Sequence, residues 1–413
     1  MKTKAVRLYG EKDLRLEEFE LPKISDGEVL IKIISDSVCM STYKTYLQGE
    51  RHIRVPNGID KNPVIIGHEF CAEIVEVGKK WQNQYKVGEK VAIPPVLAYL
   101  PNNQTIGYSF TLIGGVSTYS IVYEHIIENG YLMKINSDAF FSASLIEPAS
   151  CVLRGYKESY HLDKDHKPVQ GIKEGGNVII LAGCGPMGLV ATQVALYGNV
   201  RPKKVVVTDL DESRIERAKK LFKKEIEEDN GIELIFTTSS NKEDLLALTD
   251  GYGYDDVFVY APYSSVVELG DEILAFDGCL NFFAGPTDKS FSANFNFYNV
   301  HYAQHHVSGT SGSTMEDMKD IVEMIGANTI NPAVMITHIG GMDSVIETTT
   351  NLPKISGGKK LVYTHINLKN TAIDDFSELG KTDARFLKLD ELVKKHNGLW
   401  NSEAEKYLLE NFK

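Results

Sequence analysis

Four side chains in the first 150 residues have the types that bind a catalytic metal ion: Cys39, His68, Glu69 and Glu147. Each lies beside a turn or at the end of an apolar run. A catalytic zinc ion takes about three protein ligands of sulfur, nitrogen and oxygen type and keeps one position open for water or substrate. The competing interpretation is structural, because an isolated cysteine is more often a small buried hydrophobic residue than a ligand. From the residues alone, both interpretations stay open.

A glycine-rich segment at residues 183–188 is the second candidate site, and it reads Gly-Cys-Gly-Pro-Met-Gly. It follows an apolar run at 177–181 and precedes a helix-like apolar run at 188–197. In that setting the first glycine permits a tight turn, the second lets the backbone approach a pyrophosphate, and the third allows close packing of helix on strand. The segment therefore predicts a dinucleotide-binding loop, against the alternative of a glycine turn in another α/β protein.

An acidic residue after the next predicted strand favours NAD as the dinucleotide. Asp209 stands 21 residues after Gly188, where its carboxylate would accept hydrogen bonds from an adenosine ribose and repel a 2′-phosphate. Arg214 lies close enough in sequence to keep NADP as an alternative. The predicted cofactor-binding residues are Gly183, Gly185, Pro186, Met187, Gly188, Asp209 and Arg214.

Two patterns of predicted elements must position these sites. The first ~150 residues are mainly β, with short β-rich runs at 29–34, 73–77, 90–93 and 119–122. Beyond residue 171, apolar strands alternate with helical segments, which predicts a doubly wound α/β fold. Its strands are predicted at 177–181, 204–208, 233–237, 256–260 and 278–284, with a charged helical segment at 212–228. A later strand is predicted at 360–364, and two amphipathic helices at 383–395 and 402–411.

The bulk properties exclude several classes of protein. A length of 413 residues predicts two domains. The net charge of -12 argues against general affinity for nucleic acid or an anionic membrane. The five cysteines form no C-x-x-C pair, and an odd number of them fits a reducing compartment. Together with an N-terminus that lacks the apolar core of a signal peptide, this predicts a cytoplasmic protein.

Several segments together resemble the zinc-dependent medium-chain dehydrogenases, a family that includes alcohol, sorbitol and threonine dehydrogenases. The matching segments are 38–42 (VCMST), 63–69 (PVIIGHE), 87–91 (VGEKV), 115–122 (GVSTYSIV), Glu147-Pro148 and the loop at 183–188. The resemblance implies a GroES-like, mainly β catalytic domain, split as 1–152 and 314–413 with a C-terminal helical extension. It implies a Rossmann NAD-binding domain at 153–313, and a homo-oligomer, either a dimer or a tetramer.

The resemblance also implies roles for particular residues. Cys39 and His68 would bind the catalytic zinc, and the third ligand would be Glu69 or Glu147. Glu147 stands where alcohol-type members have a cysteine, which indicates a polyol-type site. Ser41 would relay the hydroxyl proton of the substrate, although a serine in this place can also simply cap a helix.

The sequence departs from the family pattern in two places that bear on the site. Four closely spaced cysteines usually bind a structural zinc, and residues 94–114 contain none, so one catalytic zinc and no structural zinc is expected. Thr42 stands where an aspartate is usual, which removes a carboxylate near the metal. Neither departure removes a predicted ligand.

Basic residues near the predicted ligands suggest an anionic substrate such as a sugar phosphate, against the alternative of a solvated charged loop. Lys44 and Arg51 are the predicted phosphate contacts, with His52, Arg54 and Arg154 also nearby. The whole chain, including its C-terminal extension, is similar to the L-sorbose 1-phosphate reductases of the same family. That similarity implies NADH-dependent reduction of sorbose 1-phosphate to glucitol 6-phosphate.

Three other functions compete with this one. The enzyme could act on an unphosphorylated polyol or an amino alcohol. It could be a zinc-free, quinone reductase-like member of the superfamily, which the retained ligand set argues against. A non-catalytic NAD-binding regulator is the third alternative, and such a protein has no need of an open metal position.

Overall fold

The computed structural model describes residues 1–100, 104–228 and 231–412. The chain divides into two compact units. The first combines Met1–Glu147, Thr314–Val322 and Ile336–Lys413, and the second combines Pro148–Ser313 with Glu323–Met335. No helix among the described residues is long and apolar enough to cross a membrane.

Strands form the sheets of the first unit and the centre of the second. In chain order they are Lys2–Gly10 (β1), Asp13–Glu20 (β2), Val29–Val38 (β3), Val64–Ile65 (β4), Phe70–Val77 (β5), Lys90–Ala92 (β6), Tyr119–Val122 (β7), Met133–Lys134 (β8), Tyr160–Leu162 (β9), Pro168–Gln170 (β10), Asn177–Leu181 (β11), Lys204–Thr208 (β12), Glu233–Thr237 (β13), Tyr254–Val259 (β14), Leu274–Phe282 (β15), His306–Ser308 (β16), Ile336–Gly341 (β17), Lys359–Tyr363 (β18) and Thr371–Ala372 (β19).

The helices lie mainly in the second half of the chain. In chain order they are Met40–Gln48 (α1), Glu124–Glu128 (α2), Phe140–Ser144 (α3), Ile146–Glu158 (α4), Pro186–Tyr197 (α5), Glu212–Leu221 (α6), Lys223–Glu227 (α7), Lys242–Ala247 (α8), Ser264–Glu272 (α9), Phe297–Tyr302 (α10), Met315–Gly326 (α11), Val345–Asn351 (α12), Phe376–Leu379 (α13), Ala384–Lys395 (α14) and Ser402–Asn411 (α15).

The first unit is built on a mostly antiparallel sheet in which β3 is the central strand. The sheet has the order β19-β17-β18-β3-β5-β6-β8, and β7 also pairs with β3. Val29, Ile31 and Ile33 alternate along β3, so their side chains share one face and pack into the core with Ala72 and Ile74 of β5. The end of β3 is thereby fixed beside the start of β5.

The second unit contains a six-stranded parallel sheet in the order β13-β12-β11-β14-β15-β16. Every residue of β11 and of β14 is buried, as expected of central strands covered on both faces. The order reverses beside β11, which places the loop after β11 at the point where doubly wound sheets bind their ligands. The predicted doubly wound fold is confirmed.

Several predicted element boundaries in this unit were wrong, and β14 spans Tyr254–Val259 where 256–260 was predicted. Strand β15 begins at Leu274, four residues before the predicted start at Gly278, because the strand continues through Asp277 at a φ of +60°. The pairing of β15 with β14 shifts register there. The single helix predicted at 212–228 is two helices, interrupted at Phe222, whose ring packs 5.7 Å from that of Phe236.

The C-terminal helices are attached to the first unit through one buried carboxylate. Glu405 in α15 accepts hydrogen bonds from the backbone N–H groups of Phe140 and Phe141, at 2.7 and 2.8 Å, where α3 begins. The Tyr363 hydroxyl donates to the same carboxylate at 2.7 Å, and the Trp400 indole donates to that hydroxyl at 2.8 Å. The two predicted amphipathic helices are therefore confirmed, and they form part of the folded unit.

Candidate metal centre and dinucleotide loop

Two neighbouring strands bring three of the predicted ligands together. Cys39 follows β3 and precedes α1, while His68 and Glu69 lie in the turn before β5. The turn depends on Gly67 at a φ of +91°, because a Cβ there would lie 2.6 Å from the backbone nitrogen of Val116. Ligand atoms of Cys39, His68 and Glu69 all lie within 4.8 Å of one another. This spacing is short enough for one ion to contact all three.

The donor set fits a divalent metal ion. The His68 imidazole is buried, and its Nδ1 has no hydrogen-bond partner among residues 1–100, 104–228 and 231–412. Burial, with repulsion from Glu69, raises the pKa of the Cys39 thiol to about 11, so a nearby cation is needed to hold the thiolate at neutral pH. Sulfur, nitrogen and oxygen donors together are the set that zinc prefers. Residues Cys39, His68 and a glutamate could therefore hold zinc here.

Glu69 is bound on both carboxylate oxygens by protein groups. The Lys359 ammonium lies 2.5 Å from Oε1 and 2.6 Å from Oε2, and the Ser37 hydroxyl donates to Oε2. The side chains of Glu69 and Lys359 are 1% and 8% exposed, so the pair is fully withdrawn from water. Burial is the largest single influence and opposes ionisation of Glu69. The charges of Lys359 and His68, together with the hydrogen bonds from Lys359 and Ser37, outweigh it and lower the pKa of the carboxyl. Glu69 is thus a buried carboxylate with its own counterion.

Asp36 is a second buried carboxyl group and lies beside this pair. Its Oδ1 accepts the backbone N–H of Glu69 at 3.1 Å. Burial, reinforced by repulsion from Glu69, raises the pKa of the Asp36 carboxyl well above its ordinary value.

Glu147 occupies the first turn of α4, in the same unit as the other three candidates. Burial raises the pKa of Cys39, and the negative charge of Glu147 adds to that shift. Burial lowers the pKa of His68, and the same charge opposes that shift. Glu147 therefore lies within electrostatic reach of the predicted ligands. The structure thus brings all four predicted ligands into one region.

Ser41 and Tyr108 line the same site. The Ser41 hydroxyl donates to Cys39 Sγ at 2.9 Å and lies 3.3 Å from His68 Nε2. Tyr108 is buried, its ring centroid lies 5.1 Å from that of His68, and its hydroxyl shares a hydrogen bond with Ser41. Sequence reasoning missed Tyr108, because a tyrosine in a loop carries no distinguishing pattern.

The two predicted phosphate contacts lie in different surroundings. Lys44 is half-buried in α1, where burial lowers the pKa of its ammonium and the charge of Cys39 opposes that shift. Arg51 is 69% exposed and forms an ion pair with Glu11 at 2.8 Å. Of the two, the structure brings only Lys44 toward the ligand set.

The glycine-rich loop has the geometry that a pyrophosphate requires. Helix α5 begins at Pro186, followed by Met187, and Gly185 is its N-cap. A Cβ at Gly188 would lie 2.1 Å from the Gly183 carbonyl oxygen, and one at Gly183 would lie 2.6 Å from Ile180, so both glycines are required for packing. A Cβ at Gly185 would meet nothing within 4 Å, which leaves space for a ligand to approach the backbone.

Asp209 follows β12 and lies against this loop. Its carboxylate accepts the backbone N–H of Cys184 at 3.3 Å and that of Asp211 at 3.1 Å. Arg214 lies 3.9 Å from Asp209 and 3.6 Å from Asp211, so its cation is shared between two carboxylates. The seven predicted cofactor-binding residues thus belong to the loop, the start of α5, the turn after β12, or the first turn of α6, which contains Arg214.

Comparison with known proteins identifies the family. Residues 25–129 match the alcohol dehydrogenase GroES-like domain, and residues 186–327 match the zinc-binding dehydrogenase domain. The chain is 46% identical to mannitol-1-phosphate 5-dehydrogenase of Aliivibrio fischeri, over 99% of this chain and 97% of that protein. It is 41% identical to L-sorbose 1-phosphate reductase of Klebsiella pneumoniae, over 98% of this chain and 97% of that protein.

A solved structure has the same fold. The crystal structure of 2R,3R-butanediol dehydrogenase from Bacillus subtilis aligns with a TM-score of 0.71 at 24% identity, covering 88% of this chain and all of that one. The predicted combination of a GroES-like domain with a Rossmann-type domain is confirmed. Zinc and a nicotinamide dinucleotide are the cofactors, and the protein is an oxidoreductase of the alcohol and polyol dehydrogenase type. The chain belongs to the zinc-dependent medium-chain dehydrogenase/reductase family.

Proposed function

We propose that the enzyme interconverts a hexitol phosphate and the corresponding ketose phosphate with NAD(H), and that L-sorbose 1-phosphate, reduced to D-glucitol 6-phosphate, is the substrate pair. The observation that carries this proposal is the near-full-length similarity to two proteins that are both named for phosphate esters. The half-buried Lys44 beside the ligand set adds support, because it supplies a positive charge close to where a substrate would bind. We assign no substrate contact to Arg51, since Glu11 already pairs with it.

Within this proposal Cys39, His68 and Glu147 hold the zinc ion. Lys359 and Ser37 already bind the two oxygens of Glu69, which favours Glu147 as the carboxylate that contacts the metal directly. Bound zinc would act as a Lewis acid that favours negative charge on the reacting oxygen of the substrate. Glu69 then lies behind the ligands, with Lys359 compensating its charge.

Ser41 is the proposed proton carrier. Its hydroxyl lies within hydrogen-bond distance of Cys39 Sγ and His68 Nε2, so it faces the position that a reacting hydroxyl would occupy. During oxidation it would accept the proton of the substrate hydroxyl while passing its own proton on toward solvent, and during reduction the same relay would run in reverse. Tyr108, which is hydrogen-bonded to Ser41, would hold that side chain in place.

We expect Asp209 to determine the preference for NAD over NADP. In Asp209→Ser, loss of the carboxylate removes its repulsion of a 2′-phosphate, and Arg214 becomes available to bind that phosphate. The ratio of kcat/KM for NADH to that for NADPH should fall by about 10–100-fold, a range that corresponds to one charge-assisted hydrogen bond. Steady-state kinetics with both cofactors measures the ratio, and Arg214→Ala in the same background should reverse the change. An unchanged ratio would contradict the assignment.

The activity itself is tested by NADH oxidation with purified, zinc-loaded enzyme. L-Sorbose 1-phosphate, fructose 6-phosphate, L-sorbose and fructose form a matched set in which the ketose and the phosphate vary separately. We expect kcat/KM to be at least about 100-fold higher for a phosphate ester than for its parent sugar, since one buried phosphate contact of this kind is worth roughly 3 kcal/mol. Equal turnover of plain sugars would reject the phosphate specificity and favour an enzyme for unphosphorylated polyols.

A further inference from the structure

The ring of Tyr108 contacts both a predicted metal ligand and two basic residues. The His68 ring lies beside it, and the His52 ring stacks on Tyr108 at 5.4 Å with an interplanar angle of 20°. The Arg54 guanidinium carbon lies 5.6 Å from the centre of the same ring. One buried aromatic side chain therefore contacts a predicted metal ligand, an imidazole and a guanidinium.

The segment that carries these residues is fixed by its backbone. The Ser109 hydroxyl donates to the carbonyl oxygen of Arg54 at 2.6 Å, and the adjacent Val55 is buried. The backbone N–H of Arg54 donates to Nδ1 of His52 at 3.2 Å. Because Nδ1 accepts, the proton of a neutral His52 ring lies on Nε2, which is then a hydrogen-bond donor. Burial, with the charges of Arg54 and Lys44, lowers the pKa of His52 to about 4 and keeps the ring neutral at physiological pH.

Arg54 differs from other arginines of this unit in its charged surroundings. Within the described part of the chain, no carboxylate lies within 4.0 Å of its guanidinium, whereas Arg7, Arg15 and Arg51 pair with Glu17, Asp13 and Glu11. Arg54 is nevertheless partly buried, in a protein with a net charge of -12. A partly buried guanidinium without a carboxylate, close to an enzymatic site, is suited to bidentate binding of a phosphate.

We propose that the Arg54 guanidinium and His52 Nε2–H bind the phosphate group of the substrate, with Tyr108 as the spacer that separates this group from the metal ligands. The inference rests on the proposed function, and it names the residues that give the enzyme its preference for phosphate esters. Tyr108 fixes the separation between the phosphate and the reacting carbon. It thereby determines which carbon atom of the substrate is presented to Ser41 and the ligand set.

The test compares Arg54→Ala with Arg51→Ala in the zinc-loaded, full-length enzyme. The two variants remove the same charge from positions three residues apart, and Arg51 serves as the matched control because Glu11 already pairs with it. For Arg54→Ala we expect KM for the best phosphate ester to rise about 10–100-fold, as for loss of a hydrogen bond between charged groups. We expect kcat to change less than about threefold and the KM for the unphosphorylated polyol to stay the same. Arg51→Ala should behave as the wild type with both substrates.

Inorganic phosphate provides a readout that does not depend on knowing the substrate. It should inhibit the wild type competitively against the sugar substrate and lose at least about tenfold in affinity in Arg54→Ala. If the wild type turns over phosphate esters well but both readouts are unchanged in Arg54→Ala, the assignment of Arg54 is wrong while the proposed function stands. If the wild type shows no preference for phosphate esters, the proposed function fails. Phosphate inhibition that Arg54→Ala abolishes would then still support an anion site at Arg54.

Discussion

Replacement of His68 by alanine is expected to yield a folded protein with substoichiometric zinc and a kcat/KM for any alcohol or ketone substrate lowered by at least about 1000-fold. The ligand atoms of Cys39 and His68 lie within 4.8 Å of each other, so removal of the imidazole leaves the proposed zinc site without one of its donors. Loss of a Lewis acid removes several kcal/mol of charge stabilisation, and each 1.36 kcal/mol corresponds to a factor of ten in rate. Metal analysis and steady-state kinetics on the same preparation measure both effects.

The controls for this prediction separate metal loss from misfolding. Because the dinucleotide loop belongs to the other compact unit, NADH binding to His68→Ala, followed by fluorescence, should match the wild type. Glu147→Gln and Glu69→Gln form a matched pair that removes one negative charge each. If Glu147 is the direct ligand, Glu147→Gln loses zinc as His68→Ala does, while Glu69→Gln retains it. Full zinc occupancy together with normal turnover in His68→Ala would contradict the metal assignment.

The parts of the structure that could be predicted from the sequence are those determined by local pattern. The strands at Asn177–Leu181, Lys204–Thr208 and Glu233–Thr237 were predicted to the residue, since each is a short apolar or β-branched run with clear ends. The dinucleotide loop was predicted because steric requirements at Gly183 and Gly188 leave a local signature. Boundaries failed where a strand passes through a residue in an unusual conformation, as at Asp277.

The parts that could not be predicted depend on contacts between distant residues. Lys359 is 290 residues from Glu69, and no pattern in either segment indicates that they pair. The only local sign is two adjacent lysines at the start of a short apolar strand, a position where a charge needs a partner. Tyr108 likewise belongs to the site through contacts with His68 and Ser41, which are distant from it in sequence. The residue roles, the domain limits at 152 and 314, the oligomeric state and the cytoplasmic location stay predictions from the sequence.

The buried pair of Lys359 and Glu69 leads to the second prediction, a large loss of stability in Lys359→Met. The methionine fills a similar volume but leaves the Glu69 carboxylate, at 1% exposure, without a counterion. Removal of one partner from a buried ion pair costs about 3–5 kcal/mol, because the remaining charge is neither solvated nor paired. Urea denaturation at pH 7 with a fixed zinc concentration should show this loss, and Lys359→Arg, which keeps the charge, should recover part of it.

The pH dependence distinguishes an electrostatic cause from a packing defect. In the wild type the lowered pKa of Glu69 contributes stability that is present above the ordinary glutamate pKa of 4.5 and is lost as the pH falls through the folded value. In Lys359→Met the folded pKa should instead lie above 4.5, because burial is the largest influence on the carboxyl and the ammonium that opposed it is gone. The penalty then disappears as the pH falls. The difference in unfolding free energy between the two proteins should therefore shrink toward pH 4.5.

The difference from the wild type should also shrink in the double variant Lys359→Met/Glu69→Gln, which has no buried charge to compensate. If the difference in unfolding free energy persists at low pH and in the double variant, the loss of stability comes from packing. The ion pair would then not be the cause of the wild type's higher stability.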